Sequence, residues 1–173
     1  MQNSLQRFII LGNAGSGKST LARRIGERLQ LSVVHLDLLF WEPGWKEADT
    51  AVFRERVRGA LVSDRWICEG NYAKKTFDLR LPRADVVIWL DTPRTTCTRR
   101  VLMRSALGNP RPDLPPGCSE NLNADLLQFL QFTWNFDRDS RPRIERELSE
   151  CGRAVPVIHL KNTRAIETFL ESI

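Results

Sequence analysis

Residues 12–19 combine glycines, a lysine and a serine in a spacing suited to holding phosphate. They read Gly-Asn-Ala-Gly-Ser-Gly-Lys-Ser, which matches Gly-x-x-x-x-Gly-Lys-Ser. Backbone N–H groups of such a loop converge on phosphate oxygens, the lysine reaches the β- and γ-phosphates, and the serine hydroxyl ligates Mg²⁺. The motif therefore predicts a site for ATP with Mg²⁺. The residues predicted to bind it are Gly12, Asn13, Ala14, Gly15, Ser16, Gly17, Lys18, Ser19 and Thr20.

Three carboxylates lie at the ends of segments that are predicted strands, namely Asp37, Glu69 and Asp91. Because parallel sheets bind ligands at the carboxyl ends of their strands, these acids are expected near the phosphate loop. Asp37 is predicted to contact the substrate, as a base for an acceptor hydroxyl, or to orient Mg²⁺ through water. Glu69 is predicted to hold the metal together with Ser19. A helix cap or turn is the alternative for each acid, and it is the favoured one for Asp91.

Arginines are concentrated before a proline-rich segment. Five arginines and no acidic residue lie between Thr92 and Pro112. Arg100 and Arg104 are four residues apart, so one helix face would carry both toward residues 108–117, which contain four prolines and two glycines. This predicts a short lid at about residues 104–122 that brings both side chains, as catalytic groups, onto the transferred phosphate. A solvated helix face is the alternative.

A second set of side chains is predicted to bind the acceptor substrate. Aromatic residues that follow Asp37 are suited to framing a ring, and Glu69 is followed by Gly-Asn-Tyr. The residues predicted to bind substrate are Asp37, Trp45, Gly70, Asn71, Tyr72, Arg80, Arg138 and Arg141. Core packing is the alternative for the aromatic residues, and salt bridges with neighbouring acids are the alternative for Arg138 and Arg141.

Apolar runs alternate with amphipathic segments along the chain. Strands are predicted at residues 8–11, 31–36, 66–68, 84–90 and 154–160. Helices are predicted at residues 18–30, 49–62, 93–103, 122–136, 144–148 and 163–173. Nearly continuous apolar strands between helices predict an α/β fold with a parallel sheet covered on both faces. Together with the motif at residues 12–19, this predicts a three-layer fold of the P-loop NTPase type. A single domain over residues 1–173 is expected, with Trp66, Trp89 and Trp134 in its core.

The composition limits the class of protein. The 173 residues have a net charge of +5, with 21 arginines and 5 lysines, and the arginine excess favours phosphorylated ligands or nucleic acid. The longest apolar stretches are only about five residues, which argues against a membrane span or a secretory signal. Four scattered cysteines have no zinc-binding spacing, and His35 and His159 are interpreted as structural strand residues. Free thiols and a cytoplasmic location are therefore expected.

In several further segments the chain resembles the DNA topology modulation proteins, a family of small P-loop proteins similar to adenylate kinase. The resemblance is carried by residues 12–20, His35-Leu36-Asp37, Pro43-Gly44-Trp45, residues 66–72, residues 84–94, Trp134-Asn135-Phe136 and Arg141-Pro142. It implies a five-stranded sheet in the order 2-3-1-4-5, a short lid, and an ATPase or kinase activity with no settled acceptor. Glu69 departs from the family, whose members more often have Asp before Gly-Asn-Tyr, and its extra methylene argues against an identical metal contact.

Together these features predict an ATP-dependent kinase that uses Mg²⁺ to transfer the γ-phosphate to a small acceptor, a nucleotide or nucleoside. No Asn-Lys-x-Asp stretch for guanine selection is present. An acceptor phosphate would require arginines such as Arg80 or Arg138, whereas an acceptor hydroxyl would require Asp37 as base. The alternative is a nucleotide-binding ATPase that acts on DNA topology through DNA or a protein partner, although no base-reading element is recognisable. The sequence leaves the oligomeric state open.

Overall fold

Helices and strands alternate along the chain in the computed structural model, which describes residues 5–107, 113–118, 124–151 and 155–173. The strands are β1 (Arg7–Gly12), β2 (Ser32–His35), β3 (Trp41–Glu42), β4 (Lys46–Glu47), β5 (Trp66–Glu69), β6 (Val86–Leu90) and β7 (Val157–Leu160). The helices are α1 (Lys18–Leu29), α2 (Leu36–Phe40), α3 (Thr50–Ala60), α4 (Ala73–Arg80), α5 (Arg94–Leu107), α6 (Ala124–Asp139), α7 (Arg141–Glu150) and α8 (Thr163–Glu171), and a 3₁₀ turn (Leu81–Arg83) follows α4. No helix within these ranges is long and apolar enough to cross a bilayer.

Five strands form a parallel sheet in the order β2-β5-β1-β6-β7. The strands β3 and β4 form a separate antiparallel hairpin, in which Trp41 lies opposite Glu47. This order differs from the predicted 2-3-1-4-5. The difference comes from the hairpin, because its two strands were not predicted. The third, fourth and fifth strands of the predicted sheet are therefore numbered β5, β6 and β7.

The sheet separates two hydrophobic cores, because successive side chains of a strand point to opposite faces. In β1, Phe8 and Ile10 pack with residues of α1 and α8, whereas Ile9 and Leu11 pack with residues of α3, α4, α6 and α7. All four side chains are fully buried. The architecture is therefore α/β, with a parallel sheet between helices on both faces, and is compatible with three layers.

The tryptophans divide between core and surface. Trp66 and Trp89 are each 1% exposed, which confirms the prediction that they lie in the core. The same prediction for Trp134 is wrong, because its side chain is 42% exposed on α6. The guanidinium carbon of Arg94 lies 4.5 Å from the centroid of a Trp134 ring, so a cation contacts this exposed ring.

Local signals explain where two elements begin and end. Asp49 caps α3, since its carboxylate accepts hydrogen bonds from the backbone N–H groups of Ala51 and Val52. The strand predicted to continue to Leu36 ends one residue earlier, at His35, because Leu36 already begins α2.

The carboxyl ends of the central strands meet at one edge of the sheet. The register pairs Ile10 of β1 with Glu69 of β5, and Gly12 of β1 with Leu90 of β6. The loops that follow these strands, together with the start of α1, therefore lie side by side. In parallel α/β sheets this edge is where ligands bind, so it positions the candidate site.

The predicted lid, residues 104–122, lies only partly within the described residues. Residues 104–107 belong to α5, residues 113–118 form turns, and the remaining lid residues lie outside the described ranges. The described turns contact the hairpin, because the Gly44 N–H donates to the Gly117 carbonyl at 3.3 Å and the Cys118 thiol lies 3.2 Å from the Glu42 carbonyl. Closure of the lid and a single domain over the whole chain stay predictions.

Candidate functional site

Residues 12–17, which connect β1 to α1, form the glycine loop. Gly12, Gly15 and Gly17 have φ angles of 144°, 73° and 103°, a region that favours glycine. Space is a second requirement, because a Cβ on Gly15 would lie 2.6 Å from a carbonyl oxygen of α5 and one on Gly12 would lie 2.9 Å from a carbonyl oxygen of β6. A Cβ on Gly17 would have no neighbour closer than 3.8 Å. Gly12 and Gly15 therefore seat the loop against β6 and α5, whereas Gly17 leaves the start of α1 open.

Helix α1 begins at Lys18 without a side-chain cap. Gly17 precedes it and has no side chain, and the first turn contains no acidic residue. The N–H groups of this turn are therefore suited to an anion. The Lys18 Nζ donates to the carbonyls of Gly12 at 3.1 Å and Asn13 at 2.9 Å, so the ammonium folds back over the loop. Thr20, the last residue predicted for this site, is exposed in the same turn.

Three other parts of the chain hold the glycine loop. The Asn13 amide donates to the Thr133 carbonyl of α6 at 2.7 Å, and the Thr92 hydroxyl donates to the Ser16 carbonyl at 3.1 Å. Arg100 of α5 donates from Nη1 to the carbonyls of Ser16 and its neighbour Gly15, both at 3.3 Å. The structure thus places Arg100, one of the two predicted catalytic arginines, directly beside the loop.

The hydroxyl of Ser19 lies between two carboxylates. Its Oγ is 3.1 Å from Glu69 Oε1 and 2.9 Å from Asp113 Oδ2. The Nδ1 atom of His35 lies 2.8 Å from the same Glu69 oxygen. Glu69 is only 3% exposed, and a carboxylate so enclosed requires hydrogen-bond donors of this kind. Ser19 and Glu69, the two residues predicted to hold a metal, are therefore adjacent.

Two residues of this cluster were missed in the sequence. Asp113 belongs to the proline-rich segment, where no periodicity gives a side chain a direction, and 94 positions separate it from Ser19. His35 was interpreted as a structural strand residue. A signal for His35 did exist, since it is the last residue of β2 and the parallel register pairs it with Glu69.

The atoms around Ser19 suit a hard cation. A hydroxyl and two carboxylates are the kind of oxygen ligands that Mg²⁺ prefers in proteins. Within the described parts of the chain, however, no group of three or more His, Cys, Asp or Glu side chains is arranged to hold a metal ion. The residues therefore fit a cation that brings other ligands with it, as Mg²⁺ does when phosphates and waters complete its shell.

Asp37 and Tyr72 form a hydrogen-bonded pair close to aromatic rings. The Tyr72 hydroxyl donates to Asp37 Oδ1 at 2.6 Å. The ring of Tyr72 lies 4.7 Å from that of Phe40 and 5.2 Å from that of Phe53, measured between centroids. Burial, and secondly the charge of Asp37, raises the pKa of Tyr72 far above its usual range. The phenol is therefore a permanent donor to Asp37.

Arg80 does not lie in an acceptor pocket. Its side chain is fully buried and donates from Nη1 to the Gly70 carbonyl at 3.0 Å and from Nη2 to the Asn71 carbonyl at 2.6 Å. A guanidinium enclosed in this way has no route to a substrate at the sheet edge. The role in substrate binding that was predicted for Arg80 is therefore corrected to a structural one.

Arg138 and Arg141 form salt bridges, which was the alternative left open for them. The Arg138 side chain is 73% exposed and bonds to Asp139 at 2.7 Å. Arg141 lies 2.8 Å from Asp91 and also bonds to an acid of its own helix, α7. Asp91 accepts a second contact, at 2.7 Å, from Nδ1 of His159 in β7. Arg141 and Asp91 therefore link α7 to the ends of β6 and β7, whereas the Arg138–Asp139 pair lies on the surface at the end of α6. The substrate role of both arginines stays a prediction.

Trp45 and Arg104 make contacts outside the glycine loop. The ring of Trp45 packs edge-on against that of Trp41, with centroids 5.3 Å apart, so it belongs to the hairpin. The guanidinium carbon of Arg104 lies 6.0 Å from the ring centroid of Phe129, between α5 and α6. The substrate role of Trp45 and the catalytic role of Arg104 stay predictions.

No protein-family model and no curated protein matches the chain. The resemblance described from the sequence motifs therefore stays an expectation, and the function is argued from the geometry of the site.

Proposed function

We propose that this protein is an ATP-dependent kinase that transfers the γ-phosphate to a hydroxyl group of a small acceptor, with nucleosides as the favoured class. One observation carries the proposal: the uncapped start of α1, the Lys18 ammonium and the Ser19 hydroxyl beside buried Glu69 converge on the glycine loop. Binding a nucleoside triphosphate requires backbone donors, an ammonium group and a hydroxyl that holds a cation. This site offers all three at one edge of the sheet.

Mg²⁺ fits the donor set around Ser19. Ser19 and Glu69 would hold it, with Asp113 as a further oxygen group. When bound with ATP, Mg²⁺ neutralises charge on the phosphates that part during transfer. The longer side chain of Glu69, compared with the Asp of the similar family, is accommodated because His35 holds its Oε1 atom beside Ser19.

The placement of the arginines favours a hydroxyl acceptor over a phosphate acceptor. A phosphate acceptor requires cations that face it, but Arg80 is buried on carbonyls and Arg141 is held in salt bridges with Asp91 and Glu145. Asp37, in contrast, is oriented by Tyr72 next to aromatic rings. A carboxylate suits an acceptor hydroxyl, since it can take the proton. Phe40 and Phe53 are buried, so the partly exposed rings of Trp41 and Tyr72 are the ones that could contact the ring of a nucleoside.

The proposed reaction is a single phosphoryl transfer. The acceptor oxygen forms a bond to the γ-phosphorus, the bond from that phosphorus to the β–γ bridging oxygen breaks, and ADP leaves. The proton of the acceptor hydroxyl passes to Asp37. Lys18 exchanges its contacts with the Gly12 and Asn13 carbonyls for phosphate oxygens, and Arg100 adds positive charge beside the loop.

A turnover assay tests this proposal. ADP release is measured with ATP and Mg²⁺ against a panel of nucleosides, nucleoside monophosphates and sugars, and phosphorylated products are identified by mass spectrometry. We expect stimulation by a hydroxyl acceptor, and Asp37→Asn should then lower kcat by about a hundredfold or more. The matched control is Asp64→Asn, whose side chain is 87% exposed and which should change kcat by less than about twofold.

Two outcomes would contradict the proposal. Stimulation by monophosphates alone, with Asp37→Asn fully active, would make a phosphate the acceptor. If no small acceptor stimulated ADP release and the protein bound DNA in a salt-sensitive way, the ATPase acting on DNA topology would be favoured instead.

A further inference from the structure

The hydrogen bonding between β1 and β5 changes where β5 ends. Ile10 is paired with Glu69, and the N–H of Gly70 donates to the Ile10 carbonyl at 3.1 Å. The chain then turns away from the sheet, with φ angles of 124° at Gly70 and 32° at Tyr72. Strand β1 nevertheless continues to Gly12, which is buried, so its backbone groups still require partners on this side.

The side chain of Asn71 supplies these partners. The Gly12 N–H donates to Asn71 Oδ1 at 3.1 Å, and Asn71 Nδ2 donates to the Gly12 carbonyl at 3.0 Å. A carboxamide carries an acceptor and donors on one plane, as a peptide group does. Asn71 therefore replaces the missing strand residue and extends the pairing to the first residue of the glycine loop.

Arg80 holds the turn that presents Asn71. Its two Nη atoms donate to the carbonyls of Gly70 and Asn71, the groups that lose their strand partners where the chain turns away. The guanidinium is fully buried, and the hydrogen bonds of its two Nη atoms offset part of the cost of enclosing its charge, although its Nε has no hydrogen-bond partner among the described residues. Arg80 therefore fixes the turn from its buried side, and with the turn it fixes the position of the Asn71 amide.

The carbonyl of Gly12 accepts two hydrogen bonds, one from Asn71 Nδ2 and one from Lys18 Nζ at 3.1 Å. A carbonyl oxygen has two lone pairs, so both donors fit. If Lys18 turns to a phosphate, Asn71 remains bonded to this oxygen, and no buried acceptor is left unsatisfied. Asn71 thereby lowers the cost of releasing Lys18.

We propose that Asn71 is a positioning residue of the glycine loop, supported by Arg80, and not a contact for the acceptor substrate. The inference rests on the proposed function, because its consequence is nucleotide binding. Asn71 acts through Gly12: it fixes the first residue of the loop and satisfies its carbonyl when Lys18 binds phosphate. Loss of the amide should therefore weaken ATP binding and leave acceptor binding unchanged.

Hydrogen exchange tests the hold on Gly12 without any nucleotide. The amide exchange rates of Gly12 and Ile10 are measured by NMR in the full chain. In Asn71→Ala the ratio of the Gly12 rate to the Ile10 rate should rise about tenfold or more. Asn162→Ala, which removes the α8 cap where Asn162 Oδ1 accepts from the Ala165 N–H, controls for general destabilisation and should leave the ratio unchanged. An unchanged ratio in Asn71→Ala would overturn the proposal.

Binding and kinetics test the consequence. Asn71→Ala should raise the Kd for ATP about tenfold and leave the acceptor KM within about twofold. Asn71→Asp keeps the acceptor for the Gly12 N–H but sets a carboxylate oxygen against the Gly12 carbonyl, so it should bind ATP more weakly still. An unchanged Kd with a raised acceptor KM would overturn the proposal and return Asn71 to the acceptor site. A wild-type protein that does not bind ATP would refute the proposed function, whereas the exchange ratio would still decide whether Asn71 holds Gly12.

Discussion

Gly15→Ala and Gly17→Ala add the same methyl group to one loop, but the structure predicts different losses of stability. Both residues have positive φ, 73° and 103°, where alanine costs about 1–2 kcal/mol. At Gly15 the new Cβ would also lie 2.6 Å from the Cys97 carbonyl oxygen, and overpacking adds about 1–3 kcal/mol. We therefore expect the free energy of unfolding to fall by about 2–5 kcal/mol in Gly15→Ala and by about 1–2 kcal/mol in Gly17→Ala.

Urea denaturation followed by circular dichroism measures this difference. The midpoint of Gly15→Ala should lie clearly below that of Gly17→Ala, with similar slopes. An ATP titration separates the variants further, because Gly17→Ala stays folded but should bind ATP about tenfold more weakly, since its methyl group lies at the open start of α1. Equal midpoints would refute the reasoning that packing against α5, in addition to backbone conformation, requires Gly15.

Three further predictions concern charged residues. Partial burial raises the pKa of Asp85, but hydrogen bonds from Arg7 and from the N–H groups of Gln6 and Arg7 outweigh it and hold that pKa below its usual value. The stabilisation is therefore present above about pH 4 and lost as the pH falls through the folded-state pKa. In urea denaturation, Asp85→Asn should lower the free energy of unfolding by about 1–2 kcal/mol at pH 7 and by clearly less at pH 3. An equal loss at both pH values would contradict this. Asp113→Asn should raise the Mg²⁺ concentration required for ATP binding about tenfold and leave ATP affinity without Mg²⁺ unchanged; an unaltered Mg²⁺ requirement in the titration would remove Asp113 from the donor set. Arg100→Ala should lower kcat about 10²- to 10³-fold, whereas the exposed neighbour variant Arg99→Ala should stay within about twofold; equal losses in steady-state kinetics would assign the effect to the overall charge of α5.

Patterns that are local in the sequence were sufficient for much of the fold. The apolar run before the glycine motif and the periodic leucine and isoleucine positions after it predicted β1 and α1. The three central strands β1, β5 and β6 were recognisable because central parallel strands are buried on both faces and so have continuous apolar sequences. The hairpin of β3 and β4 was not, since strands of two residues are too short for any alternation.

The candidate site was only partly predictable, because side-chain placement there depends on distant residues. Arg80 at the end of α4 has the sequence of a surface arginine, yet it is buried because the carbonyls of Gly70 and Asn71 require donors where the chain leaves the sheet. Asn71 was associated with the acceptor by its position after Glu69, but its amide is used by Gly12. Asp113 reaches Ser19 across 94 positions, a contact that no local pattern encodes.

The central claim is that residues 12–19 hold the phosphates of ATP. Isothermal titration calorimetry of the full chain with ATP and Mg²⁺ tests it most directly. We predict one saturable site per chain, loss of that site in Lys18→Ala, and full retention in Lys74→Ala, which changes an exposed lysine of α4. Absence of any binding heat from the wild-type protein, or equal affinity in Lys18→Ala, would contradict the account.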